Sequence, residues 1–67
     1  MNREKLLRRL TAYARKNKLR FVLDIESGKG SHYLVELGEK STIVQKNLNP
    51  LRINNILKQL GLRKGDI

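Results

Sequence analysis

Apolar residues open the chain at helical spacing. Leu6, Leu7, Leu10, Tyr13 and Ala14 fall on one side of a helix, with no Gly or Pro to interrupt them, which predicts a helix over about 3–17. Asn2 is placed to cap this helix, Glu4 suits its first turn, and Arg15 and Lys16 suit its last turn, where the helix dipole attracts cations. From Leu19 the period changes to two. Leu19, Phe21, Leu23 and Ile25 alternate with Arg20, Val22, Asp24 and Glu26, predicting a strand over about 19–26. Ser27-Gly28-Lys29-Gly30 reads as a turn, and a second strand follows over about 31–37. On that strand Tyr33, Val35 and Leu37 share one face, and His32, Leu34 and Glu36 share the other. Gly38-Glu39 makes a second tight turn, leading to a third strand over about 41–45 centred on Ile43 and Val44.

The last element is a helix over about 50–60. Asn49 is its N-cap, Pro50 its first residue, and Leu48 and Ile53 stand where a hydrophobic staple forms. Ile53, Ile56, Leu57 and Leu60 form its apolar stripe; Gly61 suits a left-handed C-cap, Leu62 can fold back on the last turn, and a polar tail over 63–67 is expected to fray. The order is helix, three strands, helix. A three-stranded antiparallel meander must bury one face, and two amphipathic helices are available to cover it. The expected fold is therefore α+β, with both helices on one face of the sheet and the other face open. In order and layering this resembles a double-stranded-RNA-binding domain, an analogy of fold that by itself leaves function open.

Length and charge sharpen the picture. At 67 residues the chain is expected to be one domain, burying only about 60% of its unfolded surface. It has no Cys and one His, so neither a disulfide nor a structural zinc is expected to reinforce the core. No apolar run approaches a membrane span, and the N-terminus lacks the apolar stretch of a signal peptide, so a cytoplasmic protein with no membrane contact is expected. The net charge is +9, unevenly placed. Residues 1–20 carry eight basic side chains and one acid, residues 21–45 two basic and four acidic, and residues 46–67 five basic and one acidic. On the first helix Lys5, Arg8, Arg9, Arg15 and Lys16 form a cationic stripe, with Ala12 among them, on the side away from the apolar one. Such a field is the footprint of a polyanion partner, nucleic acid first.

His32 is the one side chain of a type that titrates near neutrality. If Tyr33, Val35 and Leu37 pack under the helices, His32 projects from the open face beside Lys29. There it can move a proton to or from the 2′-hydroxyl or the leaving oxygen of an RNA phosphodiester. RNA supplies its own nucleophile, so this chemistry calls for no metal and no cofactor. The acids in the middle of the chain lack the spacing of a two-metal nuclease. Ser31 lacks Asp and His partners at triad spacing and reads as a turn residue, Asp24 and Glu26 as solvated strand residues. The alternative for His32 is an ordinary surface imidazole.

Lys29-Gly30-Ser31-His32-Tyr33 at the head of a strand, then a third strand, then Asn49-Pro50 and Ile56-Leu57-Lys58-Gln59-Leu60-Gly61-Leu62, resembles the HicA toxins of bacterial HicAB toxin-antitoxin modules. Those are small basic proteins of double-stranded-RNA-binding-like fold that cleave mRNA. The resemblance spans about residues 3–62 and implies a type II toxin, an RNA endonuclease (mRNA interferase) neutralised by a cognate HicB-type antitoxin. It implies His32 as general acid or base, Gly30 and Ser31 as the residues that position it, and Lys29 as a phosphate contact; Lys5, Arg8, Arg9 and Lys16 are the further candidates for holding RNA. The chain departs from the family pattern in having Val35 and Glu36 where an aromatic and a basic residue are common. It also has Gln45, Lys46 and Asn47 where many members have a proline and a second histidine. With one imidazole, slow turnover is expected. The alternatives are a non-catalytic RNA-binding module and a basic structural protein with weak, salt-sensitive RNA affinity.

Overall fold

The computed structural model describes residues 1–25 and 32–67. The elements run α1 (Arg3–Lys16), β1 (Phe21–Asp24), β2 (Tyr33–Leu37), β3 (Lys40–Val44) and α2 (Pro50–Gln59), followed by a 3₁₀ turn over Lys64–Asp66. This is the expected α-β-β-β-α order. The strands pair antiparallel in the order β1-β2-β3.

Register sorts the side chains between two faces. Leu37 stands opposite Phe21 and Lys40, Val35 opposite Leu23 and Thr42, and Tyr33 opposite Val44. This is the covered face. Val35, Leu37 and Val44 are buried there with Leu6, Leu10 and Ala14 of α1 and with Ile53, Ile56 and Leu57 of α2. Both helices therefore lie on one side of the sheet. Thr42 is the buried polar residue of this layer; its hydroxyl donates to Gln59 Oε1, tying β3 to α2 and satisfying a group that would otherwise be costly to bury. Val22, Asp24, Leu34, Glu36, Ser41 and Ile43 share the opposite face.

The helix ends are closed by local chemistry. Asn2 Oδ1 accepts the Lys5 N–H and Asn49 Oδ1 the Arg52 N–H, each at 2.8 Å, so both expected N-caps form. At the end of α2, Gly61 N–H reaches the Lys58 carbonyl at 3.0 Å and Leu62 N–H the Leu57 carbonyl at 2.7 Å, with Gly61 at φ +76°. This paired closure buries Leu62. The same pair of bonds closes α1: Lys18 N–H to the Arg15 carbonyl at 3.3 Å and Leu19 N–H to the Ala14 carbonyl at 2.8 Å. Here the left-handed position, φ +55°, is held by Lys18. A Cβ in that conformation is strained, which glycine avoids. Between β2 and β3 the two-residue turn has positive φ at Gly38 and not at Glu39, the pattern that matches strand twist when glycine comes first.

Three expectations need correction. The first strand does not fill 19–26: Leu19 is spent on closing α1, the ladder runs over Phe21–Asp24, Ile25 lies beyond it, and Glu26 is outside the described residues. Its alternation also does not become burial: Leu23 and Ile25 remain 41% and 55% exposed, since β1 is an edge strand beyond the helices' cover. The tail does not fray. The Arg63 N–H donates to Asp66 Oδ2 at 2.9 Å, the Asp66 N–H to the Arg63 carbonyl at 3.0 Å, and Ile67 packs back on the core.

The two helix closures predict opposite responses. Lys18→Gly should raise unfolding stability by about 1 kcal/mol, whereas Gly61→Ala should lower it by about 1–2 kcal/mol, read from urea midpoints at constant m. A lower midpoint for Lys18→Gly would contradict the strained cap.

Candidate nucleic-acid interface

His32 stands immediately before β2 and is exposed. The alternation running back from Glu36 and Leu34 assigns it to the open side of the sheet. Lys29, Gly30 and Ser31 lie outside the described residues. The open face that continues from His32 is not basic. It carries Asp24 and Glu36, with apolar Val22, Leu34 and Ile43 between them, Ile43 being 47% exposed.

The cationic stripe is elsewhere. Leu6, Leu10 and Ala14 turn one side of α1 into the core, so Lys5, Arg8, Arg9, Arg15 and Lys16 point away from the sheet, and all are exposed. The fold thus gathers the stripe residues on the helix side of a two-layer domain whose shortest Cα extent is 18 Å, opposite the side to which strand phase assigns His32. The two are joined around one end of the molecule.

That junction is built by Arg3, which the sequence reading did not single out. Arg3 is in helical phase with Leu6 and Leu10, and its guanidinium carbon sits 3.7 Å from the centroid of the Tyr33 ring. Tyr33 is half-buried on the covered face, so it serves as a platform for Arg3 rather than as an aromatic on the open side. Lys46 lies two residues beyond Val44, the partner of Tyr33, and lines a cleft of about 220 Å³ with Asn2, Arg3 and Glu4. Cations therefore collect at the end of the sheet where His32 stands. The signal available in the sequence was the phase of Arg3 on the apolar stripe together with an aromatic heading the middle strand.

Among the described residues no group of His, Cys, Asp or Glu could hold a metal ion, and no helix is long and apolar enough to cross a membrane. Compared with protein-family models, with curated proteins and with solved structures, the chain matches none.

The Arg3–Tyr33 stack should appear in a double-mutant cycle. Arg3→Ala and Tyr33→Leu are expected to couple by about 0.5–1 kcal/mol in thermal or urea unfolding, and Tyr33→Phe to keep the coupling. Strict additivity would remove the stack from the account.

Proposed function

We propose that this chain is a metal-independent RNA endonuclease of the mRNA-interferase type, the toxin of a toxin-antitoxin pair acting in the cytoplasm. The observation that carries the reading is an exposed imidazole immediately before the middle strand, in phase with the side chains on the sheet face the helices leave open. The likeness of the segment around it to HicA toxins supports the same role. The cationic face of α1 holds the phosphate backbone of an mRNA through Lys5, Arg8, Arg9 and Lys16, and Arg3 and Lys46 carry that field around the end of the domain toward His32. The 2′-hydroxyl attacks the adjacent phosphorus, the bond to the 5′-oxygen of the next nucleotide breaks, and a cyclic phosphate and a 5′-hydroxyl result. His32 takes the proton from the nucleophile or delivers one to the leaving oxygen; with a single imidazole, water completes the other transfer. Gly30 and Ser31 shape the approach, and Lys29 contacts phosphate. A HicB-type antitoxin blocks the reaction by covering the His32 side. Its acidic groups meet the Arg3 and Lys46 end, because Asp24 and Glu36 would repel them on the sheet itself.

A second reading, an RNA-binding module without catalysis, is favoured by one observation: the strongest basic surface faces away from His32. Two measurements separate the readings. With a long RNA in the presence of EDTA, the native chain should cleave and His32→Ala should be slower by about 100-fold or more; equal integrity of the RNA with both proteins sinks the nuclease. Lys5→Glu, Arg9→Glu and Lys16→Glu together should abolish RNA binding at moderate salt and cut the salt slope of log K by about 2. Unchanged binding would rule out α1 as the contact.

A further inference from the structure

We infer that the free edge of β1 pairs with the same edge of a second copy of this chain, joining two sheets into one of six strands.

Among the described residues β1 is an edge strand, with β2 along one side and no strand along the other. Arg20 accepts the Gly38 N–H at 2.8 Å, and Val22 and Asp24 stand opposite Glu36 and Leu34 in the same phase. The backbone groups of these even-numbered residues therefore face β2, and those of Phe21 and Leu23 face outward, as the antiparallel ladder requires. Phe21–Asp24 is short and ends in the charged Asp24, but it contains no Pro, no Lys and no bulge. Large apolar side chains flank it instead, with Leu19, Leu23 and Ile25 exposed by 40%, 41% and 55%. An edge of this composition is a template for another strand.

The sequence of the edge identifies that strand. In an antiparallel pairing about a twofold axis through Val22, Phe21 faces Leu23 of the other copy and their outward backbone groups bond each other. Leu19 faces Ile25, Val22 faces Val22, and Arg20 faces Asp24. On the covered side the seam is wholly apolar, continuous with the core. On the open side it is flanked by two Arg-Asp pairs of opposite charge. The same short segment is thus its own complement in shape, hydrogen bonding and charge, as an isologous interface demands. The helices of both copies fall on one side and the open faces on the other, where they form a single continuous sheet surface. The dimer does not depend on what His32 does.

The test is the oligomeric state of the full chain by analytical ultracentrifugation up to about 1 mM, with circular dichroism to verify that each variant is folded. Native protein should show a concentration-dependent monomer–dimer equilibrium. Leu23→Lys, a change at an exposed edge position, should leave it folded and monomeric. Arg20→Asp and Asp24→Arg should each weaken the dimer by about tenfold, and combining the two in one chain should restore most of the affinity. A native chain that stays monomeric, leaving the edge to a strand of another protein, overturns the inference. So does a dimer that survives Leu23→Lys, or a double charge swap that is no tighter than the single changes.

Discussion

A three-stranded sheet has two faces and this chain has apolar helix surface enough for one. Every other property of the domain depends on how that single burial is made. Leu6, Leu10 and Ala14 from α1 and Ile53, Ile56 and Leu57 from α2 meet Val35, Leu37 and Val44, and the side chains on the far face are no more than half-buried. With no disulfide in reserve, this layer is the source of stability, and its ends are secured cheaply by two asparagine caps and two left-handed closures. The helices reach over β2 and β3 better than over β1. The result is a well-covered centre, an open face and one apolar edge.

The same constraint separates charge from chemistry. Because α1 spends its apolar side on the sheet, its basic side must point away from it, and the open face inherits what the strands place there: two acids, Ser41 and a few apolar side chains, with Arg20 in phase before β1 and His32 in phase before β2. A nuclease reading has to bridge the two surfaces, and Arg3, held over Tyr33, together with Lys46, gives it a route around the end of the domain. In the proposed mechanism the field of α1 holds the RNA and does not by itself activate it. The proton transfer falls to one imidazole outside the basic surface.

Much of this was legible in the residues. The two periodicities, Pro50 after Asn49, and Gly61 before Leu62 are local signals, and they led to the right elements because tertiary contacts agreed with them. The misreadings arose where a contact outside the local pattern decided. Leu19 continues the alternation of the first strand, yet its N–H closes α1 because Lys18 accepts a left-handed backbone. Leu23 has the parity of a core residue and remains exposed because it lies on an edge, a position that periodicity cannot reveal. The tail looked polar, and Asp66 folded it back. At the candidate site, parity was enough to separate Leu34 and Glu36 from Tyr33, whereas the separation of their face from the cationic stripe needed the layering of the whole domain.

The central claim is that one RNA strand reaches both the stripe of α1 and His32. An isotope-labelled sample titrated with a 2′-O-methyl oligonucleotide, whose blocked hydroxyl prevents cleavage, tests it by nuclear magnetic resonance. The account predicts that the amide and side-chain signals of Lys5, Arg9 and Lys16 shift together with those of Arg3, Lys46 and the His32 imidazole, with one common affinity. Shifts confined to α1, with the His32 imidazole unmoved at saturation, would contradict it.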